Sequence, residues 1–92
     1  MCEHDNDAAA EQAINAFFDE LAQVRMPHGI AWGHQTQVEE FRATALAAQG
    51  AAYPRDELLG YLSGLAVAGA LNANQVSRFT ELIRDFTGRG WM

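Results

Sequence analysis

Residues 71–88, which read LNANQVSRFTELIRDFTG, decide the fold. Asn72 is suited to the N-cap of a helix, and Gln75 to the capping-box position three residues later. Leu71 and Val76 have the spacing of a hydrophobic staple across that cap. The apolar stripe that follows has the helical spacing of three and four residues and consists of Val76, Phe79, Leu82, Ile83 and Phe86. Gly88 follows the stripe, and helices commonly end at a glycine. The stretch therefore predicts a fourth and last helix.

The segment before it, residues 54–69, predicts a third helix. Pro54 suits the first helical position, and Asp56 and Glu57 place negative charge in the first turn, where the helix dipole favours it. The apolar ridge of this helix is formed by Leu58, Leu62, Leu65 and Ala66. Because only a few residues connect the third helix to the fourth, the two are predicted to form a C-terminal antiparallel helical hairpin.

One face of the third helix carries a small residue at every fourth position. Gly60, Gly64 and Ala68 thin that face, although a glycine inside a helix costs about 1 kcal/mol relative to alanine. The pattern favours close packing against another helix of the same chain or, as the alternative, across the seam of a homodimer.

The N-terminal part of the chain predicts a first amphipathic helix over residues 7–25. Asp5, Asn6 and Asp7 can cap its start, and Pro27 ends it. Its apolar face consists of Ala10, Ala13, Ile14, Phe17, Phe18, Leu21 and Val24. Residues 1–6 are expected to form a flexible acidic terminus.

Residues 27–35 predict a connecting loop in which Trp32 lies over the core. Thr36 and Glu39 have the spacing of a capping box, so a second helix is predicted to start there or, alternatively, a turn or more earlier, near Trp32. Gly50 is placed for its C-terminal cap. The buried face of this helix consists of Val38, Phe41, Ala45 and Ala48.

Length and composition set the fold class. A chain of 92 residues can build one hydrophobic core, and 49% hydrophobic residues are enough to order it. We therefore expect an all-α protein, a compact four-helix domain that includes the whole chain, residues 1–92.

The charge balance restricts the partners and the location. Twelve acidic and six basic residues give a net charge of −6, which repels phosphate backbones and anionic lipids, so neither nucleic acid nor a membrane is an expected partner. Every basic residue is arginine and alanine is abundant, which indicates a high-GC bacterial source. With Cys2 as the only cysteine and no signal-peptide pattern, we expect a cytoplasmic protein.

The residues that could carry chemistry do not have the spacing of an enzyme site. No glycine-flanked elbow frames Ser63 or Ser77 as a nucleophile, and the adjacent acidic pairs point about 100° apart on a helix. His28 and His34 lie in the predicted loop without a metal-binding motif, which favours ordinary polar loop residues. We therefore expect no catalytic residue, no cofactor and no metal.

Aromatic residues are numerous for so small a core. Phe17 and Phe18 are adjacent, so one of them is expected to face away from a narrow core stripe. We predict a partner-binding surface centred on the first helix and the following loop, with apolar anchors inside a polar rim. The anchors are Phe18, Trp32 and Tyr53, and the rim is Asp19, Glu20 and Glu39. The alternative is that the core contains all of these aromatic rings.

In size, acidity and helical pattern, the chain resembles the small bacterial antiactivators that bind quorum-sensing transcription regulators. The resemblance implies an inhibitor that covers the regulator's dimerisation surface and so prevents DNA binding. Small acidic helical immunity proteins are similar to it as well, which implies neutralisation of a toxin. A helical protein that binds a small ligand or a metal is a further alternative. The thin core and the aromatic content also predict a homodimer.

Overall fold

The computed structural model describes residues 2–26, 31–48 and 55–91, with side chains described for residues 8–26, 33–47 and 55–91. The described ranges contain four helices and no strand, which confirms the all-α fold. The helices are α1 (Cys2–Ala22), α2 (Ala31–Ala48), α3 (Arg55–Val67) and α4 (Ala73–Gly88). Of these helices, none combines the length and the apolar character that crossing a membrane requires.

A single core receives apolar side chains from all four helices. Phe17 lies at its centre, with edge-to-face ring contacts to Phe18, Phe79 and Phe86 at centroid distances of 4.9, 5.5 and 5.9 Å. Edge-to-face aromatic pairs add stability beyond the area they bury. The buried apolar residues are Ile14, Phe17, Phe18, Leu21, Val38, Phe41, Ala45, Leu58, Leu62, Leu65, Leu71, Phe79, Ile83 and Phe86.

Helix α1 is placed earlier in the chain than predicted. It begins at Cys2 rather than at residue 7, so the predicted capping role of Asp5, Asn6 and Asp7 is wrong, and the backbone of residues 2–6 is helical. It ends at Ala22 rather than at residue 25. The next two amides, those of Gln23 and Val24, donate to the Glu20 and Leu21 carbonyls in the i→i−3 pattern of a tighter turn, before Pro27.

Helix α2 begins at Ala31, which confirms the earlier of the two predicted starts. The capping box at Thr36 and Glu39 is therefore wrong, and Trp32 belongs to the helix rather than to a loop. Val38, Phe41 and Ala45 are buried as predicted. Three further predictions lie outside the described residues. They are the burial of the Ala48 side chain, the C-terminal cap at Gly50, and Pro54 as the first residue of α3.

The small-residue face of α3 points to solvent. Gly60 and Gly64 are exposed, and a Cβ atom added at either would meet no atom within 4 Å. The prediction of close packing against another helix of the same chain is therefore wrong, while the homodimer seam stays a prediction. The buried side of α3 is the predicted leucine ridge, Leu58, Leu62 and Leu65.

The start of α4 has the geometry that the sequence predicts. Asn72 Oδ1 accepts a hydrogen bond from the Gln75 amide at 2.8 Å, and Gln75 Oε1 accepts one from the Asn72 amide at 2.8 Å. Leu71 is buried in the core, and Val76 packs against the same core. Helices α3 and α4 contact each other, and their antiparallel hairpin arrangement stays a prediction.

Left-handed glycines follow both C-terminal helices. Gly69 has a φ of 84°, and the amide after it donates to the Leu65 carbonyl at 2.8 Å. Gly90 has a φ of 78°, and the Trp91 amide donates to the Phe86 carbonyl at 2.8 Å. Such bonds satisfy carbonyl groups that the end of a helix leaves unpaired.

A buried polar junction joins α1, α2 and α3. His34 is 3% exposed and lies in α2, so its prediction as a polar loop residue is wrong. Its Nε2 donates to the Leu21 carbonyl at 2.8 Å, and its Nδ1 pairs with the Tyr61 hydroxyl at 2.5 Å. Because a carbonyl oxygen can only accept, Nε2 carries a proton, and Nδ1 makes the second hydrogen bond with the Tyr61 hydroxyl. Burial raises the pKa of Tyr61 above its ordinary value of 10.0.

Candidate protein-binding surface

The first predicted anchor, Phe18, is a core residue. Its side chain is 0% exposed and contacts Phe17 within the core. Helix α1 contacts both α2 and α4, so its apolar face is wide enough to bury two adjacent phenylalanines. The prediction of Phe18 as a surface anchor is therefore corrected, and for this residue the alternative of a core position holds.

The other two predicted anchors stay predictions. Trp32 lies in the first turn of α2, and its side chain is outside the described residues. Tyr53 lies in a segment that the structure does not describe. Among the described side chains, the one large hydrophobic residue that is strongly exposed is Val67, at 90%, on the last turn of α3.

Two of the predicted rim residues meet at one arginine. Arg42 of α2 lies 2.8 Å from the Asp19 carboxylate of α1 and 3.2 Å from the Glu39 carboxylate of its own helix. Its side chain is 15% exposed, and its guanidinium also donates to Asn15 Oδ1 at 2.9 Å. Asp19 and Glu39 themselves remain 61% and 58% exposed. This cluster connects α1 to α2 and leaves both carboxylates exposed to solvent.

The third rim residue ties α1 to α4. Glu20 lies 2.9 Å from the Arg78 guanidinium, and both side chains remain in contact with solvent. Exposed ion pairs of this kind contribute about 1 kcal/mol or less to stability. Two of the rim residues therefore lie on α1 and the third lies on α2, and all three remain in contact with solvent.

The net charge of the chain resides on α1. Between Cys2 and Ala22 there are six acidic residues and no arginine or lysine: Glu3, Asp5, Asp7, Glu11, Asp19 and Glu20. The chain has twelve acidic and six basic residues, so the remainder contains six of each and its formal charges cancel. The acidic excess of the chain therefore lies within the sequence of α1, and arginines of α2 and α4 pair with two of its six carboxylates, those of Asp19 and Glu20.

The solvent-facing side of α1 is a shallow surface of small and polar side chains. We call it the α1 face, and it consists of Ala8, Glu11, Gln12, Ala16 and Asp19. Alanines keep the side chains here short, and Glu11 and Asp19 give the face two carboxylates.

Sequence reasoning missed the charge concentration on α1. The signal was present, because counting charges between helix boundaries needs no structure. However, a helix that starts at residue 7 excludes Glu3 and Asp5 from the count.

Among the side chains that the structure describes, no group of three or more His, Cys, Asp and Glu residues lies close enough together to hold a metal ion. His34 and Tyr61, which are hydrogen-bonded to each other, lie between helices rather than at the α1 face.

Comparison of the chain with protein-family models, curated proteins and solved structures finds no match. The function is therefore inferred from the residues of this chain.

Proposed function

We propose that this protein binds and inhibits a larger protein through the α1 face, and that the surface it covers on that partner is basic. The observation that carries the proposal is the charge of α1, with six acidic residues and no basic residue in a chain whose remainder is neutral. A single-signed helix raises the rate of encounter with a surface of opposite charge and discourages acidic partners.

A transcription regulator fits this partner chemistry. Surfaces that bind DNA are rich in lysine and arginine, because they neutralise backbone phosphates. An acidic helix that occupies such a surface competes with DNA for the same charges. The resemblance to antiactivators implies a dimerisation surface as the one covered, whereas the charge of α1 favours a basic surface.

A toxin that cleaves nucleic acid is the second candidate partner, because its substrate-binding surface has the same charge requirement. In that case the protein acts as an immunity protein. The two candidates differ in what the bound partner loses, DNA binding or toxic activity.

The proposal is tested by isolating the partner and then measuring its inhibition. The tagged protein is used to capture partners from a lysate of its source at low salt, and each captured protein is purified separately. We expect a complex whose dissociation constant rises steeply with salt and whose partner loses nucleic-acid binding or cleavage when bound. A purified partner that binds equally well at low and high salt, or that keeps its full activity in the complex, would contradict the proposal.

A further inference from the structure

A groove of about 300 Å³ lies between the end of α1 and the first two turns of α4. Glu20 contributes a carboxylate from α1, and Val24 and Phe79 form the apolar part of the lining. The other lining residues are Gln23, Gln75 and Arg78. The groove shares no residue with the α1 face, although Glu20 directly follows Asp19 in the sequence.

The charges in the groove form an ion pair that is open to water. Glu20 and Arg78 lie 2.9 Å apart, and their side chains are 39% and 62% exposed. The carboxylate is therefore the more enclosed partner, while most of the arginine lies in solvent. Because exposed ion pairs contribute little to stability, a second cation can displace Arg78 from Glu20 and leave the fold intact.

The lining of the groove matches the side chain of an arginine. A guanidinium presents a planar fork of N–H donors to a carboxylate, and the side-chain oxygen of Gln23 can accept a further hydrogen bond. The Gln75 oxygen already accepts from the Asn72 amide at 2.8 Å. Long basic side chains bury their aliphatic part along apolar surface, which Val24 and Phe79 supply.

The volume of the groove is suited to a single side chain. Pockets that hold whole drug-sized ligands begin at about 300 Å³, so this groove lies at the lower limit of that range. A side chain that belongs to a larger molecule needs less space than such a ligand, and the rest of that molecule lies outside the groove.

Arg78 restricts access to Glu20. An incoming cation meets a neutralised carboxylate while Arg78 is paired, and a free one after Arg78 has moved into solvent. We propose that the groove binds an arginine side chain of a basic partner protein, which replaces Arg78 at Glu20. Arg78 is then an internal competitor that lowers the affinity for the partner. The inference rests on the proposed function, because it names one contact that holds such a partner.

A titration of the ¹⁵N-labelled protein, followed by two-dimensional NMR, tests the groove without the partner protein. The probes are N-acetylarginine amide, N-acetyllysine amide and N-acetylcitrulline amide, which has the shape of the arginine compound and no charge, each at constant ionic strength. We expect saturable shifts confined to residues 20–24 and 75–79, with the arginine compound binding most tightly.

Three outcomes of this titration would overturn the proposal. They are shifts that do not saturate, shifts that spread over the whole surface, and binding of the citrulline or lysine compound as tight as that of the arginine compound. Because the probes contain no partner protein, an absent site here and an absent basic partner in the capture experiment are separate results.

Two variants that each remove one positive charge test whether Arg78 is the competitor. Arg78→Gln frees Glu20 in the groove, and Arg89→Gln frees Asp85 elsewhere on α4. Since both variants change the net charge equally, we expect R78Q to bind the arginine compound about threefold more tightly and R89Q to bind it like the parent protein. Glu20→Gln should abolish saturable binding. Equal binding by R78Q and R89Q, or saturable binding by E20Q, would overturn the proposal, and spectra of the free variants check that each is folded.

Discussion

His34 and Tyr61 form a hydrogen bond between α2 and α3, although 27 positions separate them in the sequence. Their rings lie nearly parallel, with centroids 5.8 Å apart, and the Tyr61 ring also contacts Phe41 at 5.7 Å. Through its other nitrogen, the same histidine holds the end of α1 at the Leu21 carbonyl. This polar junction therefore connects three helices.

Replacement of Tyr61 by phenylalanine tests the junction. Tyr61→Phe keeps the ring and removes the hydroxyl, so Nδ1 of the buried His34 loses its hydrogen-bond partner. We expect a loss of about 1–2 kcal/mol in the free energy of unfolding, measured by urea denaturation. An unchanged transition midpoint would show that the hydrogen bond does not contribute to stability.

The burial of Tyr61 predicts that the free energy of unfolding falls at high pH. Burial raises the pKa of Tyr61 above 10.0, so the folded state holds this proton more tightly than the unfolded state. The resulting stability is fully present below pH 10.0 and is lost as the pH rises from there through the folded-state pKa. Urea midpoints of the parent and of Tyr61→Phe, compared below and above this value, measure the effect. A parent whose decline equals that of the variant would contradict it.

The capping box of α4 predicts a position-specific loss of stability. Asn72→Ala removes the side chain that accepts from the Gln75 amide, and we expect a cost of about 1 kcal/mol. Asn74→Ala is the matched control, because Asn74 is exposed in the first turn of α4 and does not cap it. Equal transition midpoints for the two variants would show that the cap does not stabilise the helix.

The exposed glycines of α3 predict a gain of stability. Since a Cβ atom at Gly64 meets nothing within 4 Å, Gly64→Ala should stabilise the protein by up to about 1 kcal/mol through helix propensity. Gly69→Ala, at a φ of 84°, should destabilise it, because alanine is strained in that conformation. Thermal unfolding of both variants measures the difference. Destabilisation by Gly64→Ala would indicate that this face is covered.

Local signals were sufficient for α3 and α4. A capping box, a staple and a regular apolar stripe all lie within residues 71–88, and they need no distant partner to act. The start of α2 depends on tertiary structure, because His34 finds its hydrogen-bond partners in α1 and α3. Without those partners, a stretch with Gly33 and a polar histidine has the composition of a loop.

The candidate site was predictable in part. Asp19 and Glu20 are accessible on α1 as expected, but the sequence could not show that Arg42 and Arg78 reach them from α2 and α4. The position of Phe18 depends on how many helices contact α1. With α2 and α4 both packed against it, the wide apolar face buries an aromatic ring that a narrower one would expose.

The most direct test of binding through the α1 face is a pair of charge reversals measured against the purified partner. Glu11→Lys lies on the α1 face and Glu81→Lys lies on the exposed side of α4, so both variants change the net charge by the same amount. We expect Glu11→Lys to lower the association rate by about tenfold and to weaken its salt dependence, and Glu81→Lys to change it by less than about twofold. Equal effects of the two variants on the association rate, or no effect of either, would contradict binding through α1.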